Sequence, residues 1–156
     1  MNRTIAYTSL LVLAAFLASV SICAPTAISD ENAFLGSFVN HEFLNVLGVI
    51  LAITLASVAG IHLEFNRIEE RYEQVGALKK SRASLAKAAY WLIALFVIAV
   101  VIVVVKPIVA SGDASQAFFN SAALVIFLWH ILILISLTQL VFKIEPIVTK
   151  TDNSNG

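Results

Sequence analysis

Four apolar stretches, roughly 5–24, 43–63, 88–110 and 117–142, alternate with polar segments along the chain. Each is long enough to cross a bilayer core of about 30 Å, which takes ~20 helical residues. The third is the most uniform, running from Trp91 to Val105 without a polar face. A helix apolar on all sides is either deeply buried or in lipid. With 60 % apolar and only 13 % charged residues in 156, the chain lacks the polar material to bury four such helices in water. The pattern predicts an all-α membrane protein with four transmembrane helices in one domain over 1–148. The polar stretch 149–156 is predicted to be a disordered tail.

Between the first two spans, Phe34, Leu35, Phe38 and Val39 recur at i, i+1, i+4 and i+5. That spacing fits a short amphipathic helix on the membrane surface, or a plug for the end of the bundle. The second span places Gly48, Ala52, Ala56 and Gly60 four residues apart. Such a flat ridge allows close backbone approach, which drives helix association in lipid. It serves either packing within the chain, the simpler expectation, or contact with another copy. Beyond this span Ile61, Phe65, Ile68, Tyr72 and Val75 continue at spacings of 4, 3, 4 and 3. The stripe predicts that the helix runs on outside the membrane to a stop at Gly76. The 64–87 loop is then a helical hairpin extension, with Phe65, Ile68, Tyr72 and Val75 as its candidate partner contact. The third span begins at Tyr90 and Trp91 as interface anchors, and its uniform Val/Ile middle predicts the most lipid-facing helix.

Charge orients this pattern. Of ten Lys and Arg residues, Arg3, Arg67, Arg71, Lys79, Lys80, Arg82, Lys87, Lys143 and Lys150 fall in the amino terminus, the middle loop or the tail. Only Lys106 falls on the other side, where its long stem allows it to snorkel to the surface. The positive-inside rule then predicts that both termini and the hairpin are cytoplasmic. The size and simplicity of the chain suggest a bacterial inner membrane. Lys79, Lys80, Arg82 and Lys87 are predicted to contact lipid headgroups. The first span also has the look of a secretory signal, but its apolar run exceeds the usual 7–15 residues and Pro25 follows Ala24, which favours an uncleaved span.

Candidate chemistry is sparse. Polar residues inside spans are Asn45, Thr54 and His62 in the second and Asn120, His130 and Gln139 in the fourth. At about 1.5 Å per residue they fall into three roughly matched layers, predicting that the two helices face one another. An intramembrane polar seam of this kind either stitches helices together or lines a pore. No Asp or Glu lies mid-span, which counts against a proton-coupled transporter. His62 and His130 differ by roughly 8–9 Å in depth, awkward for two axial ligands of one haem, so no cofactor is expected. One Cys excludes an intrachain disulfide and a cysteine metal site. There is no Gly-rich phosphate loop, zinc-protease or nucleophile-elbow motif, and the basic cluster lacks the aromatic platforms of nucleic-acid binding.

The sequence therefore points to a small non-catalytic membrane subunit, forming a homo-oligomer or joining a larger complex, that docks a cytoplasmic protein partner or another copy through its cytoplasmic helical loop. An oligomeric channel, pore or membrane-permeabilising effector is the alternative, and a small transporter the third. Reporter fusions at Asn2 and Gly156 should give the same cytoplasmic signal; opposite signals would remove the even number of crossings.

Overall fold

The structure, a computed structural model, describes residues 3–71, 76 and 78–142, except for the side chains of Arg3, Leu140 and Val141. Its elements are α1 (Arg3–Cys23), a 3-10 turn (Pro25–Ala27), the short α2 (Ala33–Phe38), α3 (His41–Arg71), α4 (Lys79–Val109) and α5 (Asp113–Phe142). Helices α1, α3, α4 and α5 are long and apolar enough to span a membrane, so this is an integral membrane protein in contact with the bilayer. No strand occurs among the described residues.

Local sequence explains the element ends. The Asn32 side chain accepts hydrogen bonds from the Phe34 and Leu35 N–H groups and so starts α2. Asn40 likewise accepts from the Glu42 N–H at the start of α3. Pro107 stands in the last turn of α4, which closes at Val109. Gly76 has φ +87°, a left-handed conformation that favours glycine. Of the 64–87 segment, residues 72–75 and 77 lie outside the described residues, as do Lys143 and the whole 149–156 tail.

The long helices form a row rather than a closed bundle. α4 packs between α3 and α5, α1 packs on the far side of α5, and α3 touches α5 only weakly. The third span is thus central, not the most lipid-facing. Leu85, Ala89, Leu92, Leu95 and Ala99 form its buried stripe, while Val97, Ile98, Val101 and Val104 are exposed. A helix with no polar face gives no polarity signal for its packed side; here the side chosen differs in shape, with Leu and Ala inward and mainly β-branched residues outward.

Two apolar clusters fill the row. One, at the end carrying residues 24–40 (the cap end), joins Leu17, Leu35, Val39, Phe43, Leu47 and Ala123. Here Phe38 makes edge contacts with Phe43 and Phe127 at 5.7 and 6.0 Å. The apolar residues of the 34–39 segment therefore plug the end of the row, with Phe34 exposed and stacked on Phe38. The other cluster, at the opposite, basic end, joins Phe65, Leu85, Leu92 and Leu137. Phe65 is 2 % exposed, so the first part of the 65–75 stripe is occupied within the chain. Phe65→Ala should destabilise the protein by about 3 kcal/mol, the lower range for a buried Phe, as read by unfolding in detergent; a loss below ~1 kcal/mol would show that this contact does not hold α3 to α4.

Candidate functional site

The most concentrated polar chemistry lies at the cap end, where four segments converge. Lys106 of α4 is 6 % exposed, and its Nζ donates to Asp30 Oδ1 at 2.6 Å. Asn120 of α5, fully buried, donates from Nδ2 to the same carboxylate oxygen at 3.1 Å and to the Ile28 carbonyl at 2.7 Å. The Asp30 N–H in turn donates to Gln116 Oε1 at 3.1 Å. Ser21 of α1 meets Ser121 Oγ at 2.8 Å and donates to the Ala117 carbonyl at 3.3 Å. Gly36 makes the arrangement sterically feasible: a Cβ there would come within 2.8 Å of the Asp30 carbonyl oxygen. Lys106 therefore does not snorkel to the surface; a partner comes to it.

Burial alone would raise the Asp30 carboxyl pKa, but hydrogen bonds from Lys106 and Asn120, with the Lys106 charge, hold it below its ordinary value of 3.8. The combination suits a structural clamp. It has a cation, a stabilised carboxylate and an amide that joins that carboxylate to the Ile28 carbonyl, but no nucleophile with an adjacent base. The signal in the sequence was a lone cation on an otherwise acidic side, which needs an acid partner once it is drawn out of water.

The predicted seam does not come together. Thr54, His130 and Asn120 are buried, Gln139 is half-buried, and Asn45 and His62 are exposed on α3. The Thr54 hydroxyl donates to the Ile50 carbonyl of its own helix, and Ser136 and Thr138 likewise donate to carbonyls four residues back. His130 Nδ1 lies 3.2 Å from the Ile126 carbonyl, while its Nε2 and Asn120 Oδ1 are buried without a protein partner. Among the described residues, no three His, Cys, Asp or Glu side chains form a group suited to a metal.

The small-residue ridge of α3 is mostly outward. A Cβ on Gly48 would make ordinary contact with Phe96 at 3.7 Å, but Ala52, Ala56 and Gly60 are exposed and a Cβ on Gly60 would meet nothing within 4 Å. At the basic end, Arg82 donates to Glu69 Oε2 at 2.9 Å, and the Leu78 N–H donates to Glu69 Oε1 at 3.0 Å. Lys79, Lys80 and Lys87 are exposed, and Ile68 is half-buried. Tyr72 and Val75, proposed with Phe65 and Ile68 as a partner contact, lie outside the described residues. No family model matches the chain, and no curated protein or solved structure is similar to it.

The depressed Asp30 value sets a pH dependence. A carboxylate with a lowered folded pKa adds stability that is complete above its unfolded value, near 3.8, and is lost as pH falls through the lower folded value. Lys106→Met removes the cation and raises the folded Asp30 value towards the unfolded one, so the loss of stability that Asp30 causes in the parent chain below about pH 3.8 should shrink or reverse. At neutral pH the loss should be only about 1 kcal/mol, since the Asp30 side chain is 36 % exposed and water screens it. Melting temperature against pH in detergent checks both; superimposable profiles would disconnect Asp30 from Lys106.

Proposed function

We propose that this protein is a non-catalytic integral membrane subunit that assembles with a second copy through the outward face of α3. The observation that carries this reading is that Ala52, Ala56 and Gly60 remain exposed although they form a flat ridge of small residues. In lipid, helix association relies on close packing and interhelical hydrogen bonds, and a ridge of small residues supports both. Asn45 adds a second reason. Seven residues from Ala52, it falls on the same helical face, and its amide makes no side-chain hydrogen bond among the described residues. Two copies inserted the same way across a two-fold axis along the membrane normal would bring equivalent α3 residues together. Each Asn45 amide would then meet its counterpart, in an interaction of about 0.6 kcal/mol.

Both termini and the basic end are cytoplasmic in this reading, in a bacterial inner membrane. A cytoplasmic protein partner would engage Ile68, Tyr72 and Val75, since Phe65 is occupied inside the chain. The channel reading is less well supported because Thr54 and His130 are enclosed while Asn45 and His62 lie on the outer surface, so these groups share no lumen within one chain.

Ala52→Leu combined with Ala56→Leu should convert the oligomer to monomer, measured by mass photometry or subunit photobleaching. Val101→Leu, on the exposed side of α4, should leave assembly unchanged. A double variant that assembles like the parent chain would overturn the proposal, and a monomeric parent chain would do so directly. Proteoliposomes of the parent chain should stay tight to ions; steady conductance would favour the channel.

A further inference from the structure

We infer that the basic end of α3 and α4 holds a specific site for an anionic diacyl phospholipid, seated with one chain in each of two adjoining grooves. The first groove, about 400 Å³, runs between α3 and α4 and is walled by Leu55, Val58, Ala59 and Leu63, with His62 and Arg82 among its lining residues. The second, about 480 Å³, lies along α4 over Ala83, Ala86 and Ala94, bordered by Lys87, Tyr90 and Trp91. Ala86 lines both, so the grooves share one low wall. Both volumes lie within the range of small-molecule sites, and the walls are almost entirely apolar. Their position on two membrane-spanning helices makes an acyl chain the fitting occupant.

Charge complementarity selects the headgroup. Lys79, Arg82 and Lys87 lie along the first turns of α4, and Lys79, Ala83, Ala86 and Tyr90 form one stripe at three- and four-residue spacing. Lys79 and Lys87 are exposed and make no ion pair among the described residues. Two of the nearby acids are engaged, Glu64 with Arg67 at 3.3 Å and Glu69 with Arg82 at 2.9 Å, while Glu70 is exposed and makes no ion pair among the described residues. Glu69 occupies one end of the Arg82 guanidinium, yet Arg82 Nε is buried without a protein partner. A phosphate placed among Lys79, Arg82 and Lys87 would neutralise the two free ammonium groups. General attraction of basic residues to a charged surface needs no groove. The grooves turn that attraction into a preference for one bound lipid.

Trp91 reports on this site directly. The chain has two tryptophans, Trp91 and Trp129, so a Trp129→Phe background leaves Trp91 as the only one. The full-length protein is reconstituted in phosphatidylcholine vesicles with either phosphatidylglycerol or phosphatidylcholine carrying brominated acyl chains. Brominated phosphatidylglycerol should quench Trp91 with an apparent preference of about fivefold or more, the factor for one basic side chain near a charged surface. Lys79→Gln with Lys87→Gln, both exposed and outside the packed clusters, should reduce the preference to near one. Arg82→Gln should lower it too, with circular dichroism confirming that the helices persist. Equal quenching by the two lipids, or an undiminished preference in the double lysine variant, would overturn the site. Soluble glycerol phosphate should not relieve the quenching; relief would identify a phosphate site without a lipid and overturn the assignment.

Discussion

A bilayer core supplies no water to hydrogen-bond a stray polar group, and this constraint organises the whole chain. Helical backbones satisfy themselves, so the question falls on side chains. Thr54, Ser57, Ser136 and Thr138 answer it locally, each donating to a carbonyl four residues back on its own helix. A hydroxyl used in this way contributes nothing to holding two helices together. Association along most of the membrane depth is therefore left to the shape of apolar surfaces, and charged groups gather at the two ends. At the cap end Lys106 and Asp30 neutralise one another. At the basic end Arg82 and Glu69 do the same between α3 and α4.

A row of helices is a natural result of that division. Because lipid tails are as apolar as Leu or Val, exposing an apolar face in the membrane carries none of the penalty it has in water. The chain thus need not close into a four-sided bundle, and α4 can serve both neighbours while α3 and α5 scarcely touch. The open row leaves the outer face of α3 uncovered, including the residues best shaped for another helix.

This physics also explains what the amino-acid sequence could and could not convey. Span number and position were legible because length and hydropathy alone decide them; α1, α3, α4 and α5 contain nearly all of the stretches read as spans. The extension of α3 to Arg71 was legible from the 61–68 stripe, while the stop expected at Gly76 depends on residues 72–75, which lie outside the described residues. Helix neighbours were not. Matched depths for His62, Thr54 and Asn45 against α5 gave height in the membrane but not azimuth, and exposure of Asn45 and His62 is a matter of azimuth. The Lys106–Asp30–Asn120 clamp was missed for a different reason. Its members are 76 and 90 residues apart from Asp30 in sequence, and no local period links them.

The clamp contributes specificity more than strength. Apolar ridges of Val, Ile and Leu fit many partners nearly equally well in lipid, so they set helix order weakly. Polar contacts are position-specific, because a displaced partner leaves a group unsatisfied at a cost of about 1–3 kcal/mol. The Ser21–Ser121 contact joins α1 to α5. Asn120 binds the segment between α1 and α2, and Lys106 ties α4 to that same segment. Together these contacts fix α1, α5 and α4 side by side. Helix α3 is outside this network: at the cap end no side-chain hydrogen bond among the described residues joins it to another long helix. Its position there depends on the apolar cluster of Phe43 and Leu47, against which Phe96 packs. At the cap end the long helix without polar contacts to its neighbours is thus one whose small-residue face is uncovered, and a second copy packed against that face would add a positional constraint there.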